Sequence, residues 1–216
     1  MDPIDIRREY GAGDPGDGPV DPAAFDPDPL RQFEVWFATA LGAGLVEPHA
    51  MALATADRNG RPSVRMVLLK RFAADGFVFC TNYESQKGLE LEENPAASLL
   101  FFWDRLERQV RISGGVARTS DLESTAHWNA RPRASRIGAL ASAQSRSVSS
   151  RDQLLAAVAS LELRHPGEEV PRPETWGGYR VTPTEYEFWQ GRRDRLHDRV
   201  RYRLEGGVWA RERLAP

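Results

Sequence analysis

The chain has 216 residues, which suits one large domain or a compact domain with added helices, and its 41% hydrophobic content is enough for a real core. Lys and Arg total 29 against 31 Asp and Glu, so the formal charge is −2, unlike the strong basicity of nucleic-acid-binding domains. No apolar run nears the roughly 18–20 residues of a membrane span, the acidic, Pro/Gly-rich N-terminus is unlike a signal peptide, and the single cysteine, Cys80, excludes an intrachain disulfide and fits a reducing cytoplasm.

Residues 1–28, with Gly11, Gly13, Gly16, Gly18 and several Asp-Pro pairs, read as a flexible arm ahead of a single domain over 29–216. Within the arm, Arg7-Arg8-Glu9-Tyr10 is by spacing alone a solvated charge run. Asp28-Pro29 starts a helix over 29–45, with Leu30, Phe33, Trp36, Phe37, Ala40 and Leu41 at helical spacing. Strands follow at 50–55, 64–69 and 77–81, separated by turns at Asp57–Gly60 and Asp75-Gly76. A short helix over 85–93 ends at Asn94-Pro95, and strands at 97–103 and 109–116 come next.

The stretch 121–164 reads as helical. Asp121 can cap one helix, and Ser149 or Ser150 another whose apolar positions are Leu154, Leu155, Val158, Leu161 and Leu163. Strands return at 178–181, 186–189, 198–204 and 208–213. Antiparallel strands at short spacing with segregated helices predict an α+β fold built on a small barrel. No Gly-x-Gly-x-x-Gly follows a strand, which weakens a nicotinamide-dinucleotide reading.

The densest recognition chemistry is Glu187-Phe188-Trp189-Gln190-Gly191 followed by Arg195-Leu196-His197-Asp198-Arg199. An indole face suits a planar heterocycle, and guanidinium and imidazole donors suit phosphate and phenolate oxygens, so the segment predicts a pocket for a flat, anionic, aromatic ligand. In Arg65–Lys70, strand alternation sends Arg65 and Lys70 to opposite faces unless a bulge intervenes; two charges flanking a buried strand is the plainer alternative. Thr81, Ser85 and Lys87 sit where a strand enters a helix N-terminus, either as a phosphate cradle or as plain capping beside a solvated lysine.

Gln109 lies in a strand-like run and reads either the polar edge of a heterocycle or a backbone group. Arg131 and Ser135 share a helix face if the helix runs past Pro132, and Gln144 and Ser145 add donors; a polar loop between helices is the alternative. The four histidines are scattered, Cys80 has no partner at ligand spacing, and no Gly-x-Ser-x-Gly occurs. Two phosphate-type sites and an aromatic platform, with neither metal set nor acid/base pair, point to a cofactor that carries the chemistry.

The ordered series Arg65–Lys70, Thr81-Asn82, Ser85-x-Lys87, Glu107-Arg108-Gln109, Arg131-Pro132-Arg133, Gln144-Ser145, Trp176-Gly177-Gly178, Glu187–Gly191 and Arg195–Arg199, ending Arg213–Pro216, resembles the pyridoxamine 5′-phosphate oxidase family from about residue 29 onward. Arg7–Tyr10 matches that family's arm. The resemblance implies an FMN-binding split β-barrel, antiparallel and Greek-key-like with flanking helices, working as a homodimer with active sites at the subunit interface. It implies oxidation of pyridoxamine or pyridoxine 5′-phosphate by O2 to pyridoxal 5′-phosphate with release of H2O2.

By the same resemblance, FMN contacts fall on Arg65, Met66, Val67, Leu68, Leu69, Lys70, Cys80, Thr81, Gln86, Lys87, Gln109, Gln144, Ser145, Trp189 and Arg199. Substrate contacts fall on Arg7, Arg8, Glu9, Tyr10, Lys70, His127, Arg131, Ser135, Arg195, Leu196 and His197, with Arg195 and His197 catalytic. Three positions depart from the family pattern: His127 replaces a Tyr, Gln86 an Arg and Cys80 an aromatic residue. His127 predicts a substrate-phosphate affinity that falls as pH rises. A phenazine-biosynthesis flavin oxidase of the same fold and a non-catalytic flavin or vitamer carrier are the rival readings.

Overall fold

The computed structural model describes Tyr10 and residues 22–216, so Arg7, Arg8 and Glu9 lie outside the described residues. Among the described residues, nine strands and five α-helices follow in the order α1 (Pro29–Gly42), β1 (Ala50–Ala56), β2 (Pro62–Leu68), β3 (Arg71–Ala73), β4 (Gly76–Asn82), α2 (Gln86–Glu93), β5 (Ala96–Trp103), β6 (Arg108–Arg118), α3 (Asp121–Asn129), α4 (Arg133–Ala141), α5 (Arg151–Arg164), β7 (Trp176–Gln190), β8 (Asp198–Glu205) and β9 (Val208–Leu214). The strands join in the order β2-β1-β5-β6-β7-β4-β3, with β8 on β7 and β9 on β8. Two compact units divide the chain: one takes the described residues up to Leu53 with Ser98–Gly114 and Pro183–Pro216, the other Ala54–Ala97 with Gly115–Thr182.

The first unit is built around aromatic rings. Asp28 accepts from the Leu30 N–H and Pro29 opens the helix, so α1 starts where the sequence says, but it stops at Gly42, three residues short of the expected end. Its buried face carries Phe33, Trp36 and Ala40. Phe33 lies 5.2 Å from Phe101, and Trp36 lies 5.2 Å from Phe188, edge to face. The β8–β9 hairpin pairs Glu205 with Val208 across Gly206-Gly207, whose φ values of 58° and 85° are those of a type I′ turn.

The second unit has its own core of Trp128, Ile137, Leu161, Val170 and Trp176. Trp128 is fully buried, 4.9 Å from Trp176, and its indole N–H donates to the Val170 carbonyl at 2.7 Å. The expected helical stretch is three helices, not two. Ser120 rather than Asp121 caps α3, Pro132 precedes α4, and Ser150 caps α5. Of the five apolar positions expected on α5, Leu154, Val158 and Leu161 turn inward; Leu155 and Leu163 are 52% and 84% exposed, since they fall outside that i, i+4, i+7 stripe. Gly88 lets α2 approach the preceding turn, because a Cβ there would lie 2.0 Å from the Tyr83 carbonyl oxygen.

Two strand expectations need correction. The short β3 was not legible as a strand. The two strands expected at 178–181 and 186–189 are one, β7, which runs through Pro183. On one edge β7 pairs with β4 as far as Val181, and from Glu185 it pairs with β8. Pro183 stands in the interval between those two ladders, where its missing N–H breaks no pairing on that edge.

Candidate functional site

The second unit carries a pocket of about 520 Å³. Of the expected cofactor residues, Arg65, Met66, Val67, Leu68, Lys70, Cys80, Thr81, Gln86, Lys87, Gln144 and Ser145 line it, together with Arg131 from the expected substrate set. Leu69 does not; it is buried, at 7% exposure. Arg65 and Lys70 share the pocket because β2 ends at Leu68, which releases Lys70 from the strand's alternation. The Lys70 N–H donates to the Val78 carbonyl at 2.8 Å.

One end of the pocket is a cationic cradle. The Ser85 side chain caps α2 by accepting from the Gly88 N–H, and the Ser85 hydroxyl donates to the Asn82 carbonyl at 2.6 Å. Lys87, buried on the first turn of α2, donates to Thr81 Oγ1 at 3.1 Å, Ser85 Oγ at 3.3 Å and Gln144 Oε1 at 3.0 Å. All three acceptors are neutral oxygens. Burial, and then the neighbouring Arg65, lower the Lys87 pKa to about 8. A buried ammonium ringed by neutral oxygens at a helix N-terminus is a site suited to a phosphate dianion.

Arg65 is held by a set of residues the sequence did not flag. It donates to Thr55 Oγ1 and Ser63 Oγ, both at 2.5 Å, and to Glu90 Oε2 at 3.1 Å. Glu90 also accepts from Thr55, Ser63 and Gln86. Burial alone would raise its pKa; the bonds from Ser63, Thr55, Gln86 and Arg65 instead hold it down at about 2. Gln86 therefore faces Glu90, at 2.8 Å. Legible signals existed: Ser63 is two residues from Arg65 on one strand face, and Glu90 is four from Gln86 on one helix face.

Cys80 is half-buried, and burial pushes its thiol up to about 11 against the opposing pull of Lys70 and Arg131. Arg131 lies outside any helix, because α4 begins only at Arg133. Its guanidinium carbon sits 5.2 Å from the Trp176 ring centroid, and its Nη2 donates to the Ser135 carbonyl at 3.1 Å. The expected Arg131–Ser135 pairing thus runs through the Ser135 backbone, and the Ser135 side chain does not line the pocket. Arg131 Nε is buried with no hydrogen-bond partner among the described residues. His127, on α3, is 4.0 Å from Glu123 and does not line the pocket either.

The first unit holds the rest of the expected set. Trp189 is the penultimate residue of β7, and its ring centroid is 4.6 Å from that of His197. Tyr10 sets its ring edge-on to both, at 5.6 Å from Trp189 and 5.5 Å from His197. Gly191 makes room for it: a Cβ there would stand 2.8 Å from Tyr10 Cδ1 and 3.0 Å from Glu107 Cβ. The connecting turn places Asp194 and Arg195 in succession at φ of 56° and 60°, a conformation that costs a non-glycine residue about 1–2 kcal/mol. That turn leaves Arg195 and Leu196 exposed to solvent.

The His197 Nδ1 accepts from the Arg192 N–H at 3.0 Å, and burial, reinforced by Arg195, lowers its pKa. Arg199 donates to Glu187 at 2.9 Å and to the Ala215 carbonyl at 2.8 Å. Gln109 is half-buried on β6.

Comparison with known proteins gives these features a context. The family described as pyridoxamine 5′-phosphate oxidase matches residues 37–165, and the pyridoxine 5′-phosphate oxidase C-terminal dimerisation region matches 176–216. A pyridoxine/pyridoxamine 5′-phosphate oxidase of Rubrobacter xylanophilus is 55% identical over 98% of this chain and 95% of its own length. One from Cupriavidus necator is 52% identical over 98% of each. Among solved structures, PhzG of Burkholderia lata 383, in complex with tetrahydrophenazine-1-carboxylic acid, aligns with a TM-score of 0.87 at 34% identity, covering 97% of this chain and 100% of that one. The fold is that of the FMN-binding split-barrel proteins, as the resemblance implies.

Proposed function

This chain belongs to the pyridoxamine 5′-phosphate oxidase family, and from that membership we propose that it oxidises pyridoxamine or pyridoxine 5′-phosphate to pyridoxal 5′-phosphate, with O2 as acceptor and H2O2 as product. It is an FMN-dependent oxidoreductase. FMN supplies the two-electron chemistry when bound; the protein's part is binding, alignment and electrostatics.

The observation that carries the reading is that two pairs of cations line one pocket, Arg65 with Lys87 and Lys70 with Arg131. Two phosphate-bearing molecules are what such a pocket fits. Arg65 and Lys87, with Thr81, Gln144 and Ser145, hold the cofactor phosphate. Arg131 meets the substrate phosphate with its guanidinium, and Lys70 adds charge. Trp189, Gln109 and Arg199 contact the flavin ring system, Arg195, Leu196 and His197 the vitamer ring, and Tyr10 closes over it with Arg7, Arg8 and Glu9. His127, paired toward Glu123, acts on the substrate phosphate at longer range than the Tyr it replaces.

The active form is a homodimer with its sites at the subunit interface, in keeping with the match of 176–216 to a dimerisation region. Residues 29–216 act as one cofactor-binding domain. No helix of the described residues is long and apolar enough to cross a membrane, and the free thiol of Cys80 fits a cytoplasmic protein.

A second reading, a phenazine-type flavin oxidase, is favoured by the similarity to PhzG. Lys70 and Arg131 in the pocket favour a phosphorylated substrate instead. Anaerobic mixing of the FMN-loaded protein with pyridoxamine 5′-phosphate decides between them. Bleaching of the visible flavin band, with pyridoxal 5′-phosphate formed and colour restored by air, is the expected result. An unbleached flavin with either phosphorylated vitamer would remove the proposal.

A further inference from the structure

Among the groups that flank Trp189, one hydrogen bond constrains chemistry that the functional reading leaves open. The Arg192 backbone N–H points at His197 Nδ1 across 3.0 Å. A backbone amide only donates, so Nδ1 must present a lone pair, and a neutral imidazole then carries its proton on Nε2. Protonating Nδ1 would set two N–H groups against each other. The charged group acting on the ring is Arg195, a cation, which also disfavours an imidazolium. The other faces of the ring meet the Trp189 indole and the edge of Tyr10, neither of which compensates a positive charge by hydrogen bonding.

The donor is itself anchored. Arg192 Nε donates to Asp198 Oδ2 at 2.7 Å, and Arg213 of β9 donates to Asp198 Oδ1 at 2.7 Å. Asp198 is buried at the start of β8, 6% exposed. It therefore pins Arg192 across the strained turn at Asp194 and Arg195, and the last strand of the chain pins Asp198 in place.

We propose that the Arg192 N–H locks His197 as the neutral Nε2–H tautomer, making His197 a hydrogen-bond donor to an oxygen of the substrate rather than its proton acceptor, with Asp198 the positioning residue behind the lock. The substrate half of this statement rests on the vitamer-oxidase reading; the tautomer half does not. The acceptor class is a phenolate-type oxygen, which a neutral N–H donor stabilises without giving up its proton. Any base that takes a proton from the substrate must then be sought elsewhere than at His197.

The test is two-bond ¹⁵N–¹H correlation NMR on ¹⁵N-histidine-labelled protein, with and without FMN, with the His197 signals assigned by their loss in His197→Asn. The expected result is a protonated Nε2 and bare Nδ1 that persist as pH falls through the ordinary histidine value of about 6.5. A protonated Nδ1, or an imidazolium already formed at pH 7, overturns the proposal. In Asp198→Asn both tautomers are expected, with kcat down about tenfold and FMN affinity unchanged; an undisturbed Nε2–H tautomer would remove Asp198 from the account. Side-chain amides separate the two nitrogens: Gln reaches the place of Nε2 and Asn that of Nδ1. His197→Gln is expected to keep about tenfold more kcat/KM than His197→Asn, roughly one hydrogen bond, and the reverse order overturns the donor role. If the wild type oxidises neither vitamer, the proposed function fails while the NMR result still decides the tautomer.

Discussion

Arg65 and Lys87 stand on a strand and on the first turn of a capped helix, and each is bonded to at least three neighbours before any ligand arrives. Arg195 and His197 stand on a short turn with two successive residues at positive φ; Arg195 is exposed, and an aromatic ring from the arm rests on His197. The first arrangement suits a group that stays bound through many turnovers. The second suits a molecule that must come and go: Asp198 pins the base of the turn, but Arg195 at its tip is exposed and can shift at small cost. Permanence and exchange are thus written into different kinds of backbone.

Four measurements would break or sharpen that contrast. The largest effect is expected for Trp128→Ala, which empties a fully buried site and removes the bond to Val170. Stability should fall by about 3–5 kcal/mol, with FMN loss following the same thermal transition. Cofactor loss well below that transition would mean the cradle does not depend on its supporting core.

Next is Lys87→Met. The loss of a charge-assisted contact to phosphate should weaken FMN binding about 100-fold, roughly 2.7 kcal/mol. The melting temperature of the cofactor-free variant should not drop, since a buried ammonium among neutral oxygens is a cost to the empty protein. A destabilised apoprotein with intact FMN affinity would make Lys87 a structural residue.

The third concerns pH. The Lys87 pKa is lowered to about 8 in the cofactor-free protein. A phosphate dianion prefers the protonated amine and so raises that value on binding. Above pH 8 the free protein must take up a proton to bind, and FMN affinity should decline there by up to about tenfold per pH unit. A flat titration between pH 7 and 9.5 would show that the lysine keeps its charge without the phosphate.

The smallest effect is expected at the exchanging region. Gly191→Ala should push Tyr10 off Trp189 and raise the substrate KM severalfold, about 1 kcal/mol, while the FMN dissociation constant stays put. A change in FMN affinity instead would erase the distinction drawn between the two regions.

Much of this was legible in the chain. Period-two and period-3.6 patterns located eight of the nine described strands, β7 as two pieces, and all the helical territory, because burial on one face imposes those periods. β3, three residues long, is too short to show a period, and β7 was split in reading because Pro183 looks like a strand breaker until its partners on either side are known. The cations of the pocket announced themselves by residue type. Glu90 did not: a carboxylate that anchors a cation from inside looks, in sequence, like any polar residue on a helix. The same holds for Arg192, whose contribution to His197 comes from its backbone, and a side-chain code carries no mark of that.

The three neutral oxygens around Lys87 have a practical consequence. Among the described residues no carboxylate is bonded to the ammonium, and such a cationic hollow does not distinguish strongly between one tetrahedral oxyanion and another. Inorganic phosphate or sulfate in a storage buffer will compete for it, so the apparent cofactor affinity of this protein will depend on the choice of salt, and reconstitution will go furthest in a buffer whose anion is too bulky to enter.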